Sequence, residues 1–486
     1  MMDLKKGTMK KKQILLAVSI FFTIGFNLYA QENDLKAHTR LNDTIFSKFN
    51  RGEFSGIWQM GTDDWKKKTL SSSDFAGYMR YLKERTGSII SSSFFKAAGN
   101  FEYFKWIGEK KTLIVGLSAS SAQTFSDINF EIFVSPAELS AIHTDNPLKN
   151  AIDSGVNEVA ARFMVENSAV GMGIGIIKDG KIRIYNYGTV EKGKNELPTE
   201  RTLFDLGSTL KTFTGILLAQ AVIDKKANLT DDIRKYLPGD YPNLAFQGHP
   251  IRLVDLANYT SGIGDTPPYT QNMTAAERRA YAAKYTVADF LEDFHTVKLD
   301  FIPGTKYQYS STAVALLAAI LERIYHTSYA DLVQRFIAVP MHLKDTRVTT
   351  AAETDTDRFA KGYGADGGLR QWTYGPTLEL GGIHSTIHDM LLYIAQNIKE
   401  TNPAVKLSHQ QTTHLGIADE ESGLGWFIEP TARGIQIEKG GNSPRHSSEC
   451  MFIREKNIGI ICFTNMQGED LGNLAESVLD KVMAAK

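Results

Sequence analysis

The chain has 486 residues, of which 42% are hydrophobic and 22% are charged, so it is long enough for two or more domains with sizeable cores. Its 54 basic and 55 acidic side chains nearly cancel, which argues against a nucleic-acid-binding surface. Only two cysteines are present, and no group of cysteines and histidines has metal-ligand spacing. The sequence therefore predicts no disulfide framework, no metal and no organic cofactor.

The first thirty residues have the composition of a secretory signal. A lysine-rich start precedes an apolar run over residues 14–22, and Ala30 provides a small residue at the expected cleavage point. The run is short for a membrane-spanning helix and is soon followed by Gly25 and Asn27. We therefore predict that residues 1–30 are a cleaved signal peptide, that the protein is exported to the periplasm or secreted, and that it keeps no membrane anchor.

Residues 31–137 have the pattern of a small α+β domain, in which helices are followed by strands. The predicted elements are helices at 41–49 and 74–86 and strands at 112–117 and 129–134. The domain weakly resembles the cone-shaped domains related to nuclear transport factor 2. No catalytic constellation is visible in it, so a binding or spacing role is expected. The polar segment 138–147, which ends in Pro147, is interpreted as a linker.

Residues 148–486 are predicted to form the second domain. It opens with a helix near 148–167 and a hairpin whose turn is Asp179-Gly180, and it closes with strand-like runs before a final helix. Helix starts in between are marked by three capping pairs: Thr274 with Glu277, Thr286 with Asp289, and Ser328 with Asp331. We predict an α/β fold in which one antiparallel sheet, built from both ends of the domain, is sandwiched by helices and accompanied by a helical subdomain.

The strongest local signal for chemistry is the segment around Ser208. Apolar residues at helical spacing follow Ser208, which places it at or near a helix start, with Lys211 three positions later on the same face. A serine hydroxyl is a weak nucleophile and needs a base, a role that a lysine with a lowered pKa can fill. Ser-x-x-Lys alone is a common pattern, however, and on its own it favours a helix-capping serine and a solvated lysine.

Two later segments add groups that such a serine would need. Tyr309 lies on a loop just before an apolar helix, where its phenol can point into a cleft, and Tyr307 competes for the same role. Lys439 is followed by the sequence Gly-Gly-Asn directly after a strand. Two glycines at this point allow a ligand to approach the strand backbone closely.

These three segments, in this order, resemble the serine β-lactamases and penicillin-recognising enzymes, especially the class C branch with its related esterases and D-amino-acid peptidases. That family combines Ser-x-x-Lys, Tyr-x-Asn and Lys-Thr-Gly or His-x-Gly. The resemblance covers roughly residues 150–486 and includes the stretches 256–263 and 459–465. It implies a serine hydrolase without a cofactor that acts on a β-lactam, a D-amino-acid peptide or a small ester. Its partner would be a small-molecule or peptide substrate, for which a cell-wall origin is one option.

The resemblance also implies roles for individual residues. Ser208 attacks a carbonyl and becomes acylated, Lys211 and Tyr309 share the proton, and Lys439 raises the local positive potential and can bind a substrate carboxylate. The backbone N–H groups of Ser208 and Asn442 form the oxyanion hole. The residues expected to contact substrate are Ser311, Gly440, Gly441 and Asn442.

Several positions depart from the family pattern. Ser311 stands where Tyr-x-Asn has its asparagine, and Gly440 stands where Lys-Thr-Gly has its threonine. Arg445 and His446 replace the usual glycine and aromatic residue. These changes leave open a second interpretation, a non-catalytic receptor or scaffold that binds cell-wall peptides. The joint presence of the serine, the two lysines and the tyrosine favours an enzyme.

The two cysteines offer a test of strand register. Cys450 and Cys462 lie on adjacent strand-like runs joined by residues 454–457. If the turn centres on Lys456, the thiols face each other across the strands, close enough for a disulfide in an oxidising compartment. If the turn is shifted by one residue, they are two separate buried side chains.

Overall fold

The computed structural model of the chain describes residues 28–485 apart from several gaps. The gaps are 266–273, 275–276, 278–284, 349–355, 365, 371–381 and 414–420. The predicted signal peptide therefore lies almost entirely outside the described residues. The chain divides into two compact units, Met1–Ala137 and Glu138–Lys486. Among the described residues, no helix has both the length and the apolar character needed to cross a bilayer.

The first unit is an antiparallel sheet with helices packed against it. Its helices are α1 (Leu28–Arg51), α2 (Phe54–Gln59), α3 (Asp63–Lys68) and α4 (Ser72–Thr86), and its strands are β1 (Ile89–Ala98), β2 (Phe101–Gly108), β3 (Thr112–Ala119) and β4 (Phe125–Ile132). The strands are hydrogen-bonded in the order β1-β2-β3-β4. Leu41, Ile45 and Phe49, spaced four residues apart on α1, are fully buried. In the same core, Trp106 Nε1 donates to Asn42 Oδ1 at 2.7 Å.

The sequence predicts this unit in part. The helices expected at 41–49 and 74–86 fall within α1 and α4, and the strands expected at 112–117 and 129–134 overlap β3 and β4. Strands β1 and β2 are not predicted. Nearly all side chains of β1 are exposed, and three serines at 91–93 interrupt its apolar residues, so it lacks the alternation that marks a half-buried strand.

Part of the segment 138–147, which the sequence analysis interprets as a linker, pairs with a strand of the second unit. The Asp145 carboxylate accepts hydrogen bonds from the backbone N–H and the side-chain amide of Asn186, at 2.8 and 2.6 Å. The Gly188 N–H donates to the His143 carbonyl at 2.8 Å. Residues of this segment therefore provide hydrogen-bond partners for groups on the edge strand of a sheet.

The remaining elements belong to the second unit, whose first helix begins two residues before the boundary. Its helices are α5 (Pro136–Ser140), α6 (Ala151–Asn167), α7 (Lys211–Ile223), α8 (Leu253–Ala257), α9 (Val287–Asp293), α10 (Ser311–Tyr325), α11 (Tyr329–Val333), α12 (Ile387–Lys399), α13 (Pro403–Ser408) and α14 (Gly472–Ala484). Its strands are β5 (Gly171–Lys178), β6 (Lys181–Gly188), β7 (Phe204–Asp205), β8 (Ala245–Phe246), β9 (His249–Pro250), β10 (Arg347–Val348), β11 (Gly362–Tyr363), β12 (Leu369–Arg370), β13 (Ile383–Ser385), β14 (Glu421–Ser422), β15 (Phe427–Thr431), β16 (Gly434–Asn442), β17 (Ser447–Ile453) and β18 (Ile458–Thr464).

The main sheet of this unit joins the two ends of its sequence. Its order is β14-β15-β16-β17-β18-β5-β6, and every neighbouring pair is antiparallel. Helices α6 and α14 contact each other and share a hydrophobic cluster with Met451 and Ile460 on one face. Helices α7 and α12 contribute to the cluster on the other face, with Phe452 and Ile461. The predicted helix-sandwiched antiparallel sheet is confirmed.

Local signals for turns and helix starts are also confirmed. Asp179 and Gly180 have φ values of 51° and 75°, as a tight turn between twisted antiparallel strands requires. The hydroxyls of Thr274, Thr286 and Ser328 each accept a hydrogen bond from the backbone N–H three residues later. These signals are reliable because each one depends on neighbours within a single turn of the chain.

Of the two registers that the sequence leaves open for Cys450 and Cys462, the structure has the one that separates them by one residue. Cys450 lies opposite Ile461, and Cys462 lies opposite Glu449. The connecting loop ends in Asn457, whose backbone is left-handed (φ 46°), and the turn centres between Glu455 and Lys456 instead of on Lys456. Because neighbours along a strand point to opposite faces, the two thiols are buried in different hydrophobic clusters and both are free.

Candidate active site

The turn that carries Ser208 is held by a buried helix. Residues Gly207–Leu210 form a 3-10 turn that leads directly into α7, so the α-helix begins at Lys211 rather than at Ser208. Side chains on all sides of α7 are buried, which fixes the turn in the core. Lys211 Nζ donates to Ser208 Oγ at 2.8 Å. The predicted spacing of three residues therefore brings the ammonium and the hydroxyl together.

Tyr309 is the second group at the Ser208 hydroxyl. It lies two residues before α10, and its Oη is 2.7 Å from Ser208 Oγ. Tyr307 packs edge-on against Tyr259, with ring centres 5.8 Å apart. Of the two tyrosines that the sequence offers, the structure places Tyr309 in contact with the serine and Tyr307 against another aromatic ring.

Two ammonium groups lie close to the Tyr309 ring. The Nζ atoms of Lys211 and Lys439 are 5.2 and 5.1 Å from its centre. Burial by itself raises the pKa of the Tyr309 phenol, but the two charges and the hydrogen bond with Ser208 outweigh burial and lower the pKa to about 8. A phenol with this pKa can exchange a proton with a neighbouring hydroxyl near neutral pH.

Lys439 is buried among aromatic rings. Its Nζ lies 4.0 Å from the centre of the Phe427 ring and 5.0 Å from that of Tyr259, and the residue is 2% exposed. Contacts between a cation and the faces of aromatic rings are favourable, especially away from water. Lys439 is therefore held as a fixed positive charge beside Tyr309.

Tyr259 belongs to the site, although the sequence gives it no role. Its ring stacks on Tyr309, with centres 4.6 Å apart and an interplanar angle of 30°. Its backbone φ of 60° is uncommon for so large a side chain, and its buried hydroxyl has no hydrogen-bond partner among the described residues. Burial raises the pKa of Tyr259 well above its usual value, so the phenol is neutral. Only its place in the family-like stretch 256–263 could have indicated it.

The end of β16 lies directly against the Ser208 turn. Gly207 has a φ of 52°, and a Cβ at this position would lie 2.6 Å from the Asn442 backbone. A Cβ at Gly441 would lie 2.0 Å from the Leu206 carbonyl oxygen. Both positions therefore require glycine. This close approach brings the Asn442 backbone beside Ser208, as an oxyanion hole built from two backbone N–H groups requires.

The other residues expected to contact substrate differ in whether a side chain or only the backbone is available for binding. Ser311 is exposed at the first position of α10, with a short hydroxyl side chain. Gly440 faces Glu449 on β17, whose carboxylate would lie 2.8 Å from a Cβ at position 440. The Asn442 side chain accepts a hydrogen bond from Ser447 Oγ at 2.6 Å. Gly440 and Asn442 therefore offer mainly their backbone groups.

Three carboxylates elsewhere in the second unit lie close together. Glu429, Glu438 and Glu476 each bring one oxygen within 4.8 Å of the others. Arg433 lies 3.2 Å from Glu476 and 3.0 Å from Asp480, so a guanidinium already supplies positive charge to this group. We assign no metal to it.

Known proteins resemble the second unit. The family model described as beta-lactamase matches residues 156–482. A beta-lactamase of Psychrobacter immobilis is 26% identical over 297 residues, which are 60% of this chain and 70% of that protein. The D-alanyl-D-alanine-carboxypeptidase/endopeptidase AmpH of Escherichia coli (strain K12) is 25% identical over 374 residues, which are 73% of this chain and 95% of that protein. The crystal structure of a beta-lactamase/D-alanine carboxypeptidase from Pseudomonas syringae has a TM-score of 0.59 at 22% identity and covers 68% of this chain and 99% of that chain, a likeness in fold.

Proposed function

Since this chain belongs to the beta-lactamase family, we propose that it is a serine hydrolase of the class C and D,D-peptidase type that forms an acyl-enzyme on Ser208. The observation that carries the proposal is the pair of contacts at the Ser208 hydroxyl, with Lys211 Nζ at 2.8 Å and Tyr309 Oη at 2.7 Å. A serine hydroxyl that contacts both an ammonium group and a phenol of lowered pKa has the surroundings of an activated nucleophile.

In the proposed acylation step, the proton passes through Tyr309. As a phenolate, Tyr309 takes the proton of Ser208 while Oγ bonds to the substrate carbonyl carbon. The ammonium groups of Lys211 and Lys439 stabilise the phenolate, and the N–H groups of Ser208 and Asn442 hold the charge that develops on the carbonyl oxygen. Tyr309 then protonates the leaving amine or alcohol, which departs and leaves its acyl group on the serine.

Water releases the acyl group by the reverse sequence. The Tyr309 phenolate takes a proton from a water molecule as the water oxygen bonds to the acyl carbon. When the tetrahedral intermediate collapses, Ser208 Oγ leaves and recovers a proton from Tyr309. The enzyme returns to its starting state, and the products are a carboxylic acid and the alcohol or amine released earlier.

The proposed substrate is a small ester or a D-amino-acid peptide in preference to a β-lactam. The family pattern provides an asparagine and a threonine for β-lactam recognition, and Ser311 and Gly440 occupy those positions here. The acyl-transfer groups are unaffected by these changes. A peptide of cell-wall type is further supported by the similarity to AmpH, which is named a D-alanyl-D-alanine-carboxypeptidase/endopeptidase.

One panel of substrates tests both the reaction and the substrate class. The purified protein and Ser208→Ala would be offered a p-nitrophenyl ester, a D-Ala-D-Ala peptide, a chromogenic cephalosporin and a fluorophosphonate label. We expect label on the wild type and turnover of the ester or the peptide at least about 10-fold above the cephalosporin, with a loss of several orders of magnitude in Ser208→Ala. Activity in Ser208→Ala would contradict the reaction, and a cephalosporin as the best substrate would contradict the substrate class alone.

A non-catalytic receptor is the competing function. It would bind cell-wall peptides reversibly and would take up no fluorophosphonate or fluorescent penicillin, because covalent labelling needs an activated serine. The contacts of Lys211 and Tyr309 with Ser208 favour the enzyme, since reversible peptide binding requires neither.

We further propose that the protein is exported and that residues 31–137 are an accessory domain of the type related to nuclear transport factor 2. Export is supported by the lysine-rich, apolar start of the chain. The accessory domain is supported by a four-stranded sheet with its own helices and core. Mass spectrometry of the protein from the periplasm or medium should find a mature chain that begins at Gln31, and a chain that keeps Met1 would contradict export by cleavage.

A further inference from the structure

A buried ion pair links the two segments that supply the proposed oxyanion hole. Asp205 lies three residues before Ser208, and Arg445 lies three residues after Asn442. Arg445 Nη2 donates to Asp205 Oδ1 at 2.7 Å, and Arg445 Nε donates to Asp205 Oδ2 at 3.0 Å, so the guanidinium and the carboxylate meet through two parallel bonds. The two side chains are 6% and 0% exposed, which removes both charges from water.

Neighbouring groups complete the hydrogen bonding around this pair. Ser443 Oγ donates to Asp205 Oδ2 at 3.1 Å and accepts the N–H groups of Arg445 and His446 at 3.1 and 2.8 Å. The Asp205 N–H donates to His446 Nδ1 at 2.9 Å, and His446 Nε2 donates to the Ala360 carbonyl at 2.9 Å. The loop between β16 and β17 is therefore fixed to β7 through both backbone and side chains.

A second set of hydrogen bonds joins the Ser208 turn to β16 and β17. Thr209 Oγ1 donates to the Lys439 carbonyl at 2.9 Å and lies 2.8 Å from Ser448 Oγ, which donates to the Leu206 carbonyl at 2.7 Å. These bonds and the ion pair therefore join the Ser208 turn to the end of β16 and the loop after it at several points. Together they restrict the separation of the two segments.

We propose that Asp205 and Arg445 are positioning residues that set the distance between the Ser208 and Asn442 N–H groups. This inference rests on the proposed function. The carbonyl oxygen of a substrate becomes an oxyanion only as the reaction proceeds, so a hole of the wrong width weakens binding of the transition state more than binding of the substrate. The pair therefore acts on kcat rather than on KM. Arg445 stands where the family pattern has glycine, which makes the pair a feature of this chain.

The test compares Arg445→Ala and Arg445→Lys with a matched control, Arg433→Ala. Arg433 forms ion pairs with Glu476 and Asp480 at the opposite end of β16. On the best ester substrate, we expect Arg445→Ala to lower kcat by about 10- to 100-fold with KM changed less than about threefold, since the hole is misplaced rather than stripped of a donor. Arg445→Lys should be intermediate, because an ammonium lacks the planar fork of a guanidinium.

Chemical rescue separates positioning from general damage. Millimolar guanidinium should restore part of the kcat of Arg445→Ala, because the cation can occupy the vacated space beside Asp205, and it should leave Arg433→Ala unchanged. If Arg445→Ala fails to fold, the double variant Asp205→Asn/Arg445→Gln replaces the ion pair by two amides and buries no unpaired charge. It should fold and show the same selective loss of kcat.

The outcomes distinguish this inference from the function on which it rests. A wild-type kcat in folded Arg445→Ala, or in the double variant, would overturn the positioning role. A loss that appears in KM instead of kcat would also overturn it. If the wild type itself neither turns over any substrate of the panel nor takes up label on Ser208, the proposed function has failed.

Discussion

The Lys439 ammonium lies 5.1 Å from the centre of the Tyr309 ring and 4.0 Å from the centre of the Phe427 ring. Burial raises the pKa of Tyr309, yet this charge and that of Lys211 bring the pKa down to about 8. Lys211 also donates to Ser208 at 2.8 Å. Both lysines therefore lower the pKa of Tyr309, and Lys211 also contacts the nucleophile Ser208.

The pH dependence of the reaction tests this arrangement. If the Tyr309 phenolate is the base, kcat/KM on an ester should rise with pH and level off above about 8. Lys439→Gln removes a cation that lowers the pKa of Tyr309, so the midpoint of the profile should move up by about one pH unit or more. Lys456→Gln, at an exposed turn, is the matched control and should leave the midpoint in place. A midpoint unchanged in Lys439→Gln would refute the electrostatic role.

The assignment of Tyr309 as the catalytic tyrosine predicts that Tyr309→Phe loses more kcat than Tyr307→Phe. Tyr309→Phe removes the hydroxyl that lies 2.7 Å from Ser208 Oγ and should lower kcat by about 100-fold or more, the range of a positioned acid–base group. Tyr307→Phe keeps the ring that packs on Tyr259 and should change kcat by less than about threefold. Steady-state kinetics on the same ester compares them, and the opposite order would show that the motif had been aligned incorrectly.

The unpartnered hydroxyl of Tyr259 leads to a prediction about stability. Tyr259→Phe removes a buried hydroxyl without breaking a hydrogen bond among the described residues, so the free energy of unfolding should stay the same or rise by up to about 1 kcal/mol. Tyr393→Phe is the matched control, because the Tyr393 hydroxyl is equally buried but lies 2.8 Å from Thr212 Oγ1. It should lose about 1 kcal/mol. Denaturant unfolding of both variants measures the difference, and equal losses would show that Tyr259 has an unseen partner.

The features that the sequence predicts are those that depend on nearby residues. The contact between Ser208 and Lys211 follows from their spacing of three residues on a helix. The hairpin turn follows from the two adjacent residues Asp179 and Gly180. The contact of Tyr309 with Ser208 spans a much longer separation, and only the family resemblance predicts it. The order of the three motifs in the family predicts this contact. Local sequence patterns do not, because they carry no information on which distant segments come together in the fold.

The features that the sequence does not predict depend on contacts between distant segments. Arg445 is recognisable only as a departure from the family pattern, and its partner Asp205 lies 240 positions earlier. Apart from its place in the stretch 256–263, nothing in the sequence distinguishes Tyr259 from other aromatic residues, and only the structure shows that its ring stacks on Tyr309. The register of β17 and β18 depends on the conformation of the loop between them, in which Asn457 has a left-handed backbone. A shift of one residue in this register is enough to separate the two cysteines.

The boundary between the units gives a last prediction. The second unit has hydrophobic clusters of its own, so a chain that begins at Glu138 should fold and keep full activity on small esters. A chain that begins at Asn146 lacks the Asp145 carboxylate, which accepts two hydrogen bonds from Asn186, and should therefore melt a few degrees lower, by about 1–2 °C for each kcal/mol lost. Thermal unfolding and ester kinetics of both chains, with the full chain as the control, make the comparison. Equal melting temperatures would show that the edge pairing adds no stability, and an insoluble or inactive chain from Glu138 would show that the second unit needs the first.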